Sequence, residues 1–493
     1  MGSQLKTYKA EKLTGKVYTP LYIINKILDD VEYNSEAILG KKILDPACGD
    51  GRFLVEVARR IIEFSKEEDL KQNLEMLYGW DIDSEAIDLC KINLNRLVGN
   101  LGVNIKWNVF ATNSLEKYNN NLFLTDEKIS FDFIVGNPPY IRIQHLEDDL
   151  RIFIQKNYSF CQSGSTDIFI AFFELSYNLL ANNGVCGLIT PNSYFSTETA
   201  RHLRSFFSSK QIIKQITNFG NIQLFDNATT YSAITIFSKK RNNRFIYQQA
   251  ESIDKFIQKE ITFADIKYSK FWQLSVNNIQ PLKGIKLKDL CNIHVGITTL
   301  SDKIYIFPVE TIDDTFVKAF PKGRPSVVIE KAILKPIVKG STLKHRDEEI
   351  KEYILFPFKK VNEKNIILSE EELNRLFPNA YNYLLSIKEE LGKRDNGKPI
   401  KPWFNFGRTQ SLDNSFGKKI IFSPMNKEPN FILYENEEAT LYSGYCIKYK
   451  GDYDNLLSIL NSKEMKDYIS ISSRDFRGGW KAYNKRILEE FVI

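Results

Sequence analysis

The sequence predicts an α/β protein, with a mostly parallel sheet flanked by helices in the first half and an α+β second half. Three observations predict it. Apolar runs of strand length alternate with helix-length stretches through the first 240 residues. Two of those runs end in turns rich in glycine or proline that carry polar side chains, at the strand ends where open parallel sheets bind ligands. After Lys239-Lys240-Arg241-Asn242-Asn243-Arg244 the alternation fades into shorter segments punctuated by prolines, glycines and basic turns.

The elements follow in order. Residues 42–45 read as a short strand ending in a turn, 52–64 as a helix, and 76–81 as a second strand. Residues 85–97 are helix-like, 131–136 form a third clear strand, and 168–181 make a long helix with an apolar face. Strands over 184–190 and 232–237 complete the set. The change of rhythm places a domain boundary within 240–275, which we set as 1–245 and 246–493.

Composition narrows the function. With 43% hydrophobic and 26% charged residues over 493 positions, the chain can bury full-sized cores and is neither disordered nor fibrous. Six scattered cysteines without a CxxC pair, and four histidines, predict neither a zinc site nor a disulfide framework, and we expect no metal. The N-terminus lacks a secretory pattern and no apolar run reaches membrane-spanning length, so a cytoplasmic protein is expected. The net charge of +6 is uneven: residues 241–493 hold about 41 Lys and Arg against 33 Asp and Glu, leaving roughly −2 for the first 240. These basic residues lie among Phe356, Phe358, Trp403, Phe404, Phe406, Phe476, Trp480 and Tyr483. That mixture suits a surface facing phosphates and bases, and equally a solvated face over ordinary core aromatics.

Three motifs carry chemistry. Asp45-Pro46-Ala47-Cys48-Gly49-Asp50-Gly51-Arg52-Phe53 joins a strand to a helix; its glycines permit a sharp turn and close backbone approach to a ligand, beside free N–H groups of the helix start. The next strand ends in Trp80-Asp81-Ile82-Asp83, which places a carboxylate to accept from ribose hydroxyls and an apolar side chain beside an adenine ring. No Lys-Ser/Thr follows the glycines, which disfavours ATP hydrolysis. The third motif, Gly136-Asn137-Pro138-Pro139-Tyr140, ends an apolar strand. Its prolines stop ladder pairing and hold a rigid turn, where the Asn137 oxygen and the Pro138 carbonyl can both accept hydrogens from one planar –NH2 group while Tyr140 stacks on the ring that bears it.

The order of Thr14-Gly15-Lys16-Val17-Tyr18-Thr19-Pro20, Asp45 to Phe53, Asp81, Asn137 to Tyr140 and a basic C-terminal region resembles the gamma-class adenine-N6 DNA methyltransferases of restriction-modification systems. The resemblance covers the first 240 residues well and the remainder loosely. It implies an S-adenosylmethionine-dependent, Rossmann-like methyltransferase domain followed by a DNA target-recognition domain. Tyr18, Thr19 and Pro20 would then border the methionine part of S-adenosylmethionine, Asp45, Ala47 and Gly49 would line the cofactor, and Asp81 with Ile82 would hold its ribose and adenine. Asn113 stands where the family usually has Asp near the cofactor's adenine and can still accept a hydrogen bond there. Asn137 and Pro138 would bind the target amino group, Asn137 also bordering the cofactor, Tyr140 would stack on an extruded adenine, and Phe225 would supply a second aromatic wall.

In the second half, His294 to Lys303 resembles the Gly-Ile-x-Thr turn that opens the family's recognition domains. Arg394, Trp403 and Arg408, with Trp480 and Lys481 in Gly478-Gly479-Trp480-Lys481-Ala482-Tyr483, are the implied DNA contacts. The implied partner is double-stranded DNA, bound by a monomer with no membrane attachment in a bacterial or archaeal cytoplasm, and any cleavage activity would sit on a separate cognate endonuclease. The motif starts at residue 14, which argues against a fused nuclease upstream. The same turn serves cytosine N4, RNA-base and protein-glutamine methylation, and a catalytically weak specificity protein is a further alternative.

Overall fold

The computed structural model describes residues 18–119, 129–162, 166–225, 231–266, 271–272, 274–276, 284–473, 475–476 and 478–493. The chain divides into two compact units, Met1–Ile279 and Gln280–Ile493.

The first unit is built on a nine-stranded sheet: β1 (Ile43–Asp45), β2 (Leu77–Asp81), β3 (Asn108–Ala111), β4 (Phe131–Gly136), β5 (Leu180–Pro191), β6 (Ile213–Asn218), β7 (Ser232–Ser238), β8 (Arg244–Ala250) and β9 (Phe256–Thr262). Their spatial order is β3-β2-β1-β4-β5-β7-β6-β8-β9. The run from β3 to β5 is parallel, β7 is antiparallel to both β5 and β6, and β9 closes the edge against β8. The sequence reading ended the domain at 245. β8 straddles that point and β9 lies past it, because their backbones complete ladders with β6 and with each other, and the unit runs to Ile279.

Successive strand residues face opposite ways, so Ile43, Val135 and Ile189 enter one core while Leu44, Ile134 and Leu188 enter the other. Helices α1 (Leu21–Asp30), α2 (Arg52–Phe64) and α3 (Ser84–Val98) cover the first face. Helices α4 (Phe169–Leu179) and α5 (Arg201–Lys210) cover the second. α3 begins where it does because the Asp83 carboxylate accepts from the Glu85 and Ala86 N–H groups, two of the orphan donors of a helix start. β1 sits between β2 and β4, so the chain order reverses there and the carboxyl ends of β1 and β4 flank a crevice. This is the open α/β sheet, parallel through its first five strands and flanked by helices, that the sequence predicts.

The second unit is α+β. One four-stranded antiparallel sheet joins Cys291–Val295, Tyr445–Tyr449, Lys419–Phe422 and Phe431–Tyr434. Another joins Ile306–Phe307, Glu352–Leu355, Leu334–Lys339 and Thr440–Tyr442, and smaller sheets and helices surround them. The helix Glu370–Leu376 opens with a reciprocal cap between Ser369 and Glu372. Of the aromatics interleaved with basic residues, Phe356, Phe404, Phe406 and Tyr483 are buried and belong to the core, whereas Phe358 and Trp403 are half-buried and Trp480 is exposed. Their spacing made both readings available; burial decides for the core at those four and leaves Trp480 at the surface. No helix among the described residues is long and apolar enough to cross a membrane.

Candidate functional site

The glycine loop after β1 is shaped by its backbone. Gly49 and Gly51 have φ of +53° and +86°, in the left-handed region. A Cβ on Gly51 would lie 2.4 Å from Cys90 Sγ, so α3 packs where only glycine fits, whereas a Cβ on Gly49 would meet nothing within 4 Å. Open space therefore fronts the loop at Gly49. The Gly49 N–H donates to Asp81 Oδ2 at 2.8 Å and the Asp83 N–H to Asp81 Oδ1 at 3.0 Å, which ties the end of β2 to the loop. Each Asp81 oxygen keeps a second lone pair, and Ile82 beside it is 71% exposed. A carboxylate, an exposed apolar side chain and an open glycine turn fit the ribose and adenine of a nucleoside cofactor.

Asp45 is buried, and its Oδ1 accepts the Ala47 N–H at 3.0 Å. Burial pushes its carboxyl up to about 8, against the lowering effect of the Ala47 bond and with a further rise from the Asp81 charge. A Cβ on Gly136 would sit 2.6 Å from Asp45 Oδ1, so the glycine that ends β4 is what lets this carboxyl lie between the two strands. Sequence reasoning missed Gly136 as a site residue, although it directly precedes Asn137. It also missed Ser114, whose buried hydroxyl donates to the Pro46 carbonyl at 2.6 Å and steadies the loop.

At the end of β4, Asn137 Nδ2 donates to Thr19 Oγ1 at 3.1 Å, so the segment before α1 meets the proline turn across 118 residues of sequence. Thr19 is buried, Pro20 caps α1, and Tyr18 is exposed with the Arg52 guanidinium over its ring at 4.2 Å. Tyr140 is half-buried, its hydroxyl lies 3.4 Å from the Ile189 carbonyl, and burial holds its phenol far above the ordinary value. Phe225 and Phe169 each pack against Tyr140 with centroids 6.4 Å apart, at 68° and 78°. Tyr140 and Phe225 thus meet edge to face, and admitting a flat base between them requires one ring to turn. Phe225 is 3% exposed and belongs to the core on the α1–α3 face. Asn113 accepts the Leu115 N–H at 3.1 Å, a local turn that an Asp would make equally well. Thr14 to Val17, and Asp226 to Ala228, lie outside the described residues.

In the second unit the implied contacts fall into different environments. Arg394 is buried, and its guanidinium donates to the carbonyls of Leu391, Thr299, Asn405 and Trp403 at 2.7–3.3 Å. This corrects its reading as a DNA contact: its donors are engaged with backbone and it holds loops together. Trp403 is half-buried, donates its indole N–H to Glu370 and lies under the Lys388 ammonium. Arg408 is exposed and pairs with Asp395 through both terminal nitrogens at 3.1 and 3.2 Å. Trp480 is 42% exposed with the Lys427 ammonium 5.9 Å from its ring, and Lys481 donates to the Ser470 carbonyl.

Comparison with known proteins agrees with this architecture. Residues 75–225 match the model of the Eco57I restriction-modification methylase family. The chain is 25% identical to the type II restriction enzyme and methyltransferase RM.Eco57I of Escherichia coli, over 97% of this chain and 56% of that protein. It is 26% identical to the type II methyltransferase M.BanIII of Aneurinibacillus aneurinilyticus, over 94% of this chain and 86% of that one. Among solved structures, the type IIL restriction-modification enzyme MmeI in complex with DNA superposes with a TM-score of 0.60 at 14% identity, over 95% of this chain and 64% of that chain. The chain therefore spans little more than half of RM.Eco57I and under two thirds of MmeI. By its sheet, its motif order and its relatives, the chain resembles the gamma-class methyltransferases of restriction-modification systems.

Proposed function

We propose that this protein transfers a methyl group from S-adenosylmethionine to the N6 amino group of an adenine flipped out of duplex DNA. The observation that carries the reading is the Asn137–Thr19 bond at the carboxyl end of β4, beside Tyr140 and across the β1/β4 crevice from the Asp45–Gly49 loop. S-adenosylmethionine would supply an electrophilic methyl group. Asp81 and Ile82 would hold its ribose and adenine, and Asp45, Ala47, Gly49 and the Tyr18-Thr19-Pro20 segment would border the rest.

An adenine amine is a weak nucleophile because its lone pair is delocalised into the ring. With Asn137 Nδ2 engaged by Thr19, the amide is oriented so that its oxygen, together with the Pro138 carbonyl, serves as the acceptor pair for the two amine hydrogens. Held so, the nitrogen would take on tetrahedral character and attack the methyl carbon in line as the carbon–sulfur bond breaks and S-adenosylhomocysteine leaves, with the extra proton on nitrogen passing to solvent; positioning and preorganised electrostatics supply the catalysis. Extruding the base costs a few kcal/mol. Stacking on Tyr140 and Phe225 offsets that by about 1–3 kcal/mol for each ring.

The test is methyl transfer from labelled S-adenosylmethionine to genomic DNA, digested to nucleosides and resolved by mass spectrometry, with Asn137→Ala as control. The expected product is 6-methyladenine, absent from the control. A 4-methylcytosine peak moves the substrate, and labelled RNA or protein without labelled DNA overturns the reading.

A further inference from the structure

Two non-glycine residues with left-handed backbones converge on one dipeptide of the second unit. Leu300 has φ +58° and Asp395 has φ +50°. Side chains rarely adopt this region, and a bulky Leu there is held by its surroundings. Leu300 presses on Gly407 so closely that a Cβ at residue 407 would lie 2.3 Å from its Cγ, yet Leu300 is still 41% exposed. Asp395 grips the next residue, Arg408, through both terminal nitrogens.

The buried Arg394 explains how both are held. It donates to the carbonyl of Thr299, next to Leu300, and to those of Trp403 and Asn405, on the loop that leads to Arg408, while Asp395 follows it in the chain. Backbone bonds from Gly407 to Thr299 and from Arg408 to Thr298 lock the two segments together. Arg408 also donates to the Gly407 carbonyl at 2.9 Å. The result is an exposed guanidinium with a fixed plane at the wall of a cleft of about 120 Å³, shared with Val295, Thr298 and Gln410. Val295, 48% exposed, adds an apolar contact and Gln410 an amide.

We infer that Arg408 is a specificity-determining residue that reads a guanine through its O6 and N7 atoms, with Asp395 occupying the guanidinium until the base edge replaces it and Arg394 acting as the positioning residue. This rests on the reading above that the substrate is duplex DNA. A planar fork matches the two guanine acceptors in the major groove, and a bidentate pair of this kind discriminates by 1–3 kcal/mol, or about 5- to 150-fold. A carboxylate presents the same two-acceptor face, which is why Asp395 can stand in for guanine.

The experiment is base-resolved mapping of methylated adenines in genomic DNA treated with wild type, Arg408→Gln, Arg408→Lys and Asp395→Asn, with DNA affinity followed against salt. The expected result is a wild-type motif that contains a G·C pair relaxed by both Arg408 variants. Arg408→Lys keeps the charge and the salt slope but loses the fork. Asp395→Asn is expected to bind the motif at least as tightly as wild type. An unchanged motif in Arg408→Gln, with affinity lowered equally for all sequences and the salt slope reduced by about 0.9, makes Arg408 a phosphate contact and overturns the inference. Wild-type protein that methylates no DNA defeats the underlying functional reading instead, so the two failures are distinct.

Discussion

Replacing Asp45 by Asn tests the electrostatics of the β1/β4 crevice directly. Asp45 is 1% exposed, and burial raises its carboxyl to about 8 from an ordinary value of 3.8. Between those values the folded protein holds a proton on Asp45 that the unfolded chain has released. Stability therefore falls as pH rises through this window, by about 1.4 kcal/mol per pH unit, and levels off above pH 8. Asn has the same shape, can keep the Ala47 bond and does not titrate. From pH 5.5 to 7.5 the wild type should lose roughly 2.7 kcal/mol relative to Asp45→Asn. At about 2–4 °C per kcal/mol, that moves the melting-temperature difference by roughly 5–10 °C. The assay is paired thermal melts of the two cofactor-free proteins across this range, where titrations common to both cancel. A difference that stays flat with pH, or that moves in favour of the wild type as pH rises, refutes the assignment of a buried, protonated Asp45.

Other perturbations follow from the same geometry. Gly136→Ala forces a methyl group to 2.6 Å from Asp45 Oδ1, and such overpacking should cost about 1–3 kcal/mol and weaken cofactor binding, as melts and calorimetry would report; an unshifted melting temperature counts against the packing described. Thr19→Val removes the acceptor for Asn137 Nδ2, and the loss of one hydrogen bond predicts a roughly 2- to 13-fold slower single-turnover methylation at saturating cofactor, restored by Thr19→Ser. A Val variant as fast as wild type would show that the bond does not orient the amide. Tyr33 is fully buried, and its hydroxyl has no hydrogen-bond partner among the described residues, while its ring meets Phe133 edge to face at 4.9 Å. Tyr33→Phe keeps the ring contact and should stabilise the protein by about 1 kcal/mol, visible as a raised melting temperature.

The sequence by itself determined the elements whose reasons are local. The helix at 52–64 and the strand at 131–136 are periodic, apolar and bounded by glycine or proline turns, and both form with the predicted bounds. The glycine loop, Asp81 and the Asn137–Tyr140 turn announce themselves because the residue types there serve a local backbone need. β6, β8 and β9 were not legible: their residues become strands by completing ladders with segments distant in sequence. The same distance hid the Thr19–Asn137 bond and the contact between Gly136 and the Asp45 carboxyl. In the second half, spacing singled out Arg394 and Arg408 alike, and only tertiary structure separated them. One guanidinium is enclosed by carbonyls that must have donors once water is excluded, and the other is held at the surface by a single carboxylate. Burial and long-range pairing belong to the folded chain as a whole, so a linear pattern can nominate a side chain for a role while the packing around it decides which role it takes.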